Sequence, residues 1–367
     1  MYVWVMYIPK MTTHRILLLI FKTFILLIFF MLFFLVVTSI ASCGHKERSI
    51  NRCFYFWKSD FDITDHDRTK LDSLGVKKMY VRFFDVDWNH ISSAIPKGVS
   101  WIGYNRSNKF QIVPVVFIVN HVFEMLKDTS AIKDLVAKID NKIKKMAEHR
   151  IGPNFQEYQF DCDWTPGTKE KYFFFLKYFG AFEQGSTISA TIRLWQFKYP
   201  ATAGVPPVNR GMLMVYNLSD PKNESEKNSI LETSELKKYL DNSAKYPLPL
   251  DVVFPLFSWG KIFRDGKFMG LINDLSAKAL RDTSSFRMSG HTGFISKIDT
   301  VIGQFFLRTG DRINIEEVDR EELKLAEQMV SERLNNDTLN IAFYHYDTLL
   351  INRYGQKFIS EAYDLLH

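Results

Sequence analysis

From residue 53 onward the chain alternates between short apolar runs and segments of helical period. The runs Cys53 to Trp57, Lys78 to Trp88, Phe110 to Asn120, Tyr158 to Trp164, Thr187 to Phe197, Met212 to Asn217, Asp251 to Trp259 and Thr338 to Asp347 each predict a strand. They are nearly continuous in apolar character, as expected of parallel strands covered on both faces. Between them lie predicted helices. Asp62 to Leu74 has Asp62 or Thr64 as its N-cap. In Ala131 to Arg150, Ile132, Leu135, Val136, Ile139, Ile143, Met146 and Ala147 make one apolar stripe opposite Lys and Asp. Further helices are expected from Thr165-Pro166-Gly167-Thr168 through Phe173-Phe174-Phe175, and over Thr233 to Leu240, Glu316 to Leu334 and Tyr354 to Leu366.

Eight strands interleaved with helices predict an α/β fold, a (β/α)8 TIM barrel. The longest departure from the alternation falls between strands seven and eight, at roughly residues 260 to 315, and reads as an insertion. Within it, Lys261 to Leu271 reads as a hairpin turning at Arg264-Asp265-Gly266-Lys267. No internal repeat or low-complexity linker divides the chain, so residues 52–367 read as a single barrel domain.

The amino-terminal segment has a different character. Residues 1–42 contain Lys10, Arg15 and Lys22 but no acidic residue, and Phe24 to Ser42 carries no charge. A basic start followed by an apolar run is the pattern of a secretory signal. Ile40-Ala41-Ser42-Cys43 resembles the bacterial lipobox, which makes Cys43 the expected lipidation site and residues 43–51 a polar tether. The alternative is an uncleaved anchor, since the run is long enough to span a bilayer. The expected location is the cell envelope, with the membrane as a partner through the lipid anchor. Cleavage before Cys43 removes three of the 47 basic residues and none of the 41 acidic ones, leaving a net charge of +3 rather than +6. So near a balance gives no reason to expect nucleic acid. Cys53 and Cys162 fall inside predicted strands and read as small buried residues, and no cysteine spacing suggests a metal.

In barrels of this class the site lies at the carboxyl ends of the strands. Those ends gather an unusual density of carboxylates and aromatic rings. Strand one ends at Trp57. Strand two ends with Arg82, Asp85, Asp87 and Trp88, and strand four with Asp161, Asp163 and Trp164. Strand five ends with Arg193, Trp195 and Gln196, strand six with Tyr216-Asn217, strand seven with Ser258-Trp259, and strand eight with His345-Tyr346-Asp347. Indole faces pack on the apolar face of a sugar ring, and carboxylates and amides bind its hydroxyls. Asp161, Asp163, Asp85 and Asp87 are therefore the candidate catalytic groups. Trp57, Trp88, Trp164, Trp195, Tyr216, Asn217, Trp259, Tyr346 and Asp347 are the candidate contacts to a glycan or glycoconjugate. The bland alternatives are aromatic side chains closing the barrel top, Asp85 and Asp87 paired with Arg82 or Arg193, and His345 as a core residue.

The stretch Tyr158-Gln159-Phe160-Asp161-Cys162-Asp163-Trp164-Thr165 resembles the strand-four signature D-G-x-D-x-D-x-E of chitinase-type family 18 glycosidases. Met214-Val215-Tyr216-Asn217 resembles that family's strand-six M-x-Y-D, with Asn for Asp. The chain also looks like a family of bacterial lipoproteins of unknown function with a glycosidase-like barrel. The chitinase-type resemblance implies a barrel acting on glycans, with Asp163 in the place of the Asp that orients the substrate acetamido group. Thr165 stands where the family has its catalytic Glu, and a hydroxyl is no general acid near neutral pH. An active enzyme would have to combine Asp161 or Asp163 with Asp85, Asp87 or Asp347; a catalytically inactive glycan-binding barrel is the alternative. A divalent cation held by Asp85, Asp87, Asp161 and Asp163 is a lesser possibility. No Gly-rich phosphate loop, G-x-S-x-G or H-E-x-x-H is present, and no cofactor is expected.

Overall fold

The computed structural model describes residues 18, 21–31, 48–89, 93–97, 101–103, 110–148, 150–224, 227–241, 245–334 and 336–365. Residues 1–47 and Arg48–His367 form separate units. In the first, residues 21–31 are helical with exposed apolar side chains. Among the described residues no helix is long and apolar enough to cross a membrane. Cys43 and the first part of the tether lie outside the described residues.

In the second unit eight strands pair in parallel: β1 (Ser49–Phe56), β2 (Val76–Asn89), β3 (Gln111–Ile118), β4 (Glu157–Asp161), β5 (Thr187–Arg193), β6 (Arg210–Met214), β7 (Leu250–Pro255) and β8 (Thr338–Tyr344). β1 pairs with both β2 and β8, which closes the barrel. The fold is thus the α/β TIM barrel that the alternation of elements predicts. Ser49 to Asn51, expected in the tether, are paired with Thr338 to Asn340 of β8, because backbone pairing continues past the apolar run that marks β1 in the sequence.

The two-residue period of β4 sets what the barrel holds. Tyr158 and Phe160 face outward, packing edge-on against Phe179, and Phe160 also against Phe175. Glu157, Gln159 and Asp161 face the lumen. The Tyr55 hydroxyl of β1 donates to Gln159 Oε1 at 2.5 Å, a bond that must cross the interior. Below it Lys78 pairs with Glu157 at 2.6 Å, and Ser189 donates to the same carboxylate at 2.7 Å. At the amino end Arg210 and Asn340 both donate to Asp251, at 2.8 and 2.7 Å. So polar a lumen is tolerable because each of these groups has a partner, whereas the buried Tyr80 hydroxyl has none among the described residues.

Helices α1 (Asp65–Ser73), α2 (Thr129–Ala147), α3 (Lys169–Phe182), α4 (Thr233–Leu240), α5 (Arg320–Ser331) and α6 (Gln356–Asp364) belong to the outer layer. Thr64 and Asp67 form a capping box at α1, while Asp128 and Asp319 cap α2 and α5. The β2–β3 connection departs from the alternation. The end of β2 turns back as an antiparallel ribbon with Ser93–Lys97, and no helix occurs among its described residues.

Between β7 and β8 stands a five-stranded antiparallel sheet built from Ser258–Arg264, Lys267–Asn273, Phe286–Ser289, Gly293–Ser296 and Arg312–Glu317. It has its own apolar core, centred on Ile262, Leu280, Leu307 and Ile313. The first hairpin turns at Asp265-Gly266. Gly270, at φ 149°, is required because a Cβ there would lie 2.4 Å from the Phe305 ring. Three expected boundaries change here. Glu316 lies in a strand that ends at Glu317, since Ile313 and Ile315 alternate inward, and the next helix begins only after the Asp319 cap. Trp259 belongs to the first strand of this sheet rather than to the end of β7. Trp195 and Gln196 lie in a short helix, Leu194–Lys198, because β5 stops at Arg193.

Candidate active site

At the carboxyl end of the barrel a cavity of about 410 Å³ is lined by the last lumen-facing residues of several strands: Arg82, Phe117, Asp161, Arg193, Met214 and Tyr344. Trp57, Tyr216, Asn217, Phe257 and His345, on the segments just beyond the strands, complete the barrel's share. The inserted sheet contributes Ser258, Trp259, Asn273 and Asp274. Its aromatic wall is continuous. Tyr344 lies 5.7 Å from Trp57, 5.4 Å from Tyr216 and 5.8 Å from Phe257 between ring centres, and Phe257 lies 5.3 Å from Trp259.

Asp161 is the buried carboxyl of this cavity. Thr191 donates to its Oδ1 at 2.6 Å. Burial pushes its pKa up to about 6; Asp163 and Asp85 add to the rise, while the Thr191 bond and Arg193 oppose it. Two arginines flank it. Arg193 forms a two-bond fork with Asp163, at 2.5 and 2.9 Å, and Arg82 forms one with Asp85, with Nε at 2.8 Å from Oδ1. Arg82 also lies over the Trp57 ring at 5.2 Å. Burial holds the Tyr216 and Tyr344 hydroxyls protonated far above neutral pH, so both can donate to a ligand. Burial also lowers the His345 pKa, against the pull of Asp274 and Asp347, and favours its neutral form.

Trp259 is fixed from behind. Its indole N–H donates to Glu316 Oε2 at 2.7 Å, and Glu316 is paired with the buried Lys261 at 2.6 Å and accepts from Ser229. Asn217, at φ 55°, takes a left-handed conformation that Asn accommodates better than most residues.

Of the residues picked out by sequence, Asp161, Trp57, Tyr216, Asn217 and Trp259 line the cavity. Asp163 and Asp85 stand behind it as partners of its arginines. Asp87 accepts from the Trp88 backbone at 2.8 Å and does not line it, nor does the half-buried Trp88. Trp164 is not a sugar platform: it is 0% exposed and its indole donates to the Ala203 carbonyl at 2.9 Å, under the helices that follow β4 and β5. Trp195 is carried off the rim by its helix. Tyr346 is 3% exposed and donates to Asp67 at 2.8 Å, tying β8 to α1. Asp347 caps the helix Thr348–Tyr354 and pairs with Lys58. Both point away because alternation stops at Tyr344, where β8 ends, and each then follows its own partner, while the adjacent Tyr344 and His345 both line the cavity.

Phe117 and Tyr344 went unselected although both end lumen-facing rows, a signal that period two could have supplied. Asn273 and Asp274 have no local signal, because the fold of the inserted sheet brings them in. Cys53 and Cys162 are buried free thiols. Among the described residues no three His, Cys, Asp or Glu side chains group to hold a metal ion.

No protein-family model and no curated protein sequence matches the chain. Its fold is similar to that of solved structures. The spore cortex-lytic enzyme SleL of Bacillus cereus superposes with a TM-score of 0.52 at 14% identity, over 87% of this chain and 74% of that one. A chitinase from Chromobacterium violaceum gives 0.51 at 12% identity, over 86% and 99%. The Group IV chitinase of Ostrinia furnacalis gives 0.50 at 10%, over 87% and 98%. At such identities the likeness shows the fold alone, an α/β TIM barrel.

Proposed function

We propose that this chain is a carbohydrate-active protein of the bacterial cell envelope, whose barrel-end cavity binds a glycan and presents Asp161 to it as a general acid. The observation that carries the reading is the cavity itself. Rings of Trp57, Tyr216, Trp259 and Tyr344 surround a buried carboxyl with a pKa raised to about 6. Aromatic faces suit the C–H faces of sugars, and a carboxyl that is still partly protonated near pH 6 can protonate a glycosidic oxygen. Chitinase-type catalysis is not the mechanism, because Thr165 stands in the place of its acid. Asp163 and Asp85 are committed to arginines, which leaves Asp274 as the second carboxylate lining the cavity. That commitment favours one further reading, a barrel that binds glycan without cleaving it.

Calorimetry and turnover assays against a panel of chitin and peptidoglycan oligosaccharides separate the two. Trp259→Ala or Trp57→Ala should weaken binding by about 1–3 kcal/mol, the scale of one buried aromatic contact. Asp161→Asn should abolish turnover and retain binding, and wild-type turnover should fall as pH rises above about 6. Binding without turnover leaves the second reading standing, and a wild type that binds no glycan eliminates both. The envelope location rests on Cys43 as the lipid-bearing residue. Cys43→Ser should leave the protein unprocessed or soluble on fractionation, and a variant that is cleaved and stays with membranes rules the anchor out.

A further inference from the structure

At the opposite end of the barrel a second cavity, of about 390 Å³, lies between the segments leading into β7 and β8. Its polar lining comes from Lys245, Arg333 and Asn336, and its walls from Tyr246, Pro247, Leu248, Pro249 and Leu334. Among the described residues no carboxylate lines it. Among the described residues the side chains of Lys245 and Arg333 have no ion-pair partner. Tyr246 is 5% exposed, its ring stacks on Phe197 at 5.7 Å, and its hydroxyl is sealed from solvent, so Tyr246 packs the wall and does not donate into the cavity. Asn336 spends its amide N–H on the Leu250 carbonyl at 2.6 Å.

A guanidinium and an ammonium, with no carboxylate among the described lining residues, offer donors with no competing acceptor charge, which suits an anion with several oxygens. The proline and leucine walls suit a carbon portion attached to it. We infer that this cavity is a binding site for a phosphate group, delivered by a lipid headgroup or by a soluble phosphate ester. The headgroup is the expected source. Arg48, where the chain enters β1, donates to the Leu334 carbonyl at 2.6 Å and to Ser331, so the entry of the chain adjoins this cavity. Cys43 is five residues earlier. That choice of source rests on the anchor reading above, whereas the phosphate site does not, nor does it depend on the glycan reading.

The full chain, in a nonionic detergent without phosphate, is titrated calorimetrically with inorganic phosphate, glycerol 3-phosphate and monomeric short-chain phosphatidylglycerol. The lipid should bind at least tenfold more tightly than glycerol 3-phosphate. Arg333→Gln and Lys245→Gln, both at partly or fully exposed positions, should each weaken it by fivefold or more. Inorganic phosphate should raise the thermal midpoint of the wild type, and the Arg333→Gln/Lys245→Gln double variant should lose that rise. Equal affinity for lipid and glycerol 3-phosphate supports the site with a soluble ester as its ligand. If no phosphate probe binds, or the Arg333→Gln/Lys245→Gln double variant binds all three as wild type does, the site is overturned. Glycan binding at the far end should be the same in every variant, so a failed glycan reading cannot be mistaken for a failed phosphate site.

Discussion

Asp161 is 7% exposed, and among the described residues a single neutral hydroxyl, that of Thr191, is its hydrogen-bond donor. Its pKa in the folded chain, about 6, lies above the ordinary 3.8, so the fold binds its proton more tightly than the unfolded chain does. The stability this proton contributes is present below about pH 4 and is lost as pH rises through about 6. Asp161→Asn keeps an acceptor for Thr191 and removes the charge. The variant should therefore be more stable than wild type at pH 8, by on the order of 3 kcal/mol, and nearly equal to it at pH 3.5, as measured by urea denaturation at both values. Such a gain in stability accompanied by lost turnover would mark a residue kept for chemistry. Glu327 is a second case with the same sign. It is 0% exposed, neither carboxylate oxygen has a hydrogen-bond partner, and burial raises its pKa to about 9, opposed by Lys324. Stability should decline between pH 5 and 9 in wild type. Glu327→Gln should flatten that decline in thermal melts, because an amide has no charge to desolvate.

Among the elements, the inserted sheet matters most to the site. Trp259 reaches the cavity through a buried chain of Lys261, Glu316 and Ser229, so the indole is oriented by groups that never touch a ligand. Glu316→Ala strands Lys261, which is 1% exposed, and should cost about 3–5 kcal/mol, read as a lower denaturant midpoint. Glu316→Gln keeps an acceptor for the indole and should hold Trp259 in place, with tryptophan emission close to wild type even if stability falls. At the other end of the scale, Thr64→Ala removes one half of the capping box of α1 and should cost about 1 kcal/mol in the same assay, with glycan binding unaltered. The cap of α1, offered as Asp62 or Thr64, and the stripe of α2 were readable in the sequence, since they depend on residues within one turn or on one face, whereas the Asp128 cap of α2 was not picked out. The helix assigned from Glu316 was misplaced because Ile313 and Ile315 alternate as a strand against neighbours far away in the chain.

At the scale of the whole molecule, the barrel is set by eight apolar runs whose length and continuity leave few other ways to bury them. The sequence by itself determined that architecture, the position of the insertion, and the concentration of acids and aromatic rings at one rim, because strand period and strand direction dictate which residues end there. It also pointed to Asp161, which is a local property of β4. Only the tertiary structure decided which rim residues share a cavity. Trp164 and Tyr346 turn into the packing between barrel and helices, Asp163 and Asp85 are taken up by arginines from their own or neighbouring strands, and Asn273 and Asp274 arrive from a sheet folded over the opening. The reason is physical. Alternation along a strand fixes a side chain's face to within one residue, but strand ends are where that alternation stops, and beyond them each residue goes where its nearest partner in space can satisfy it.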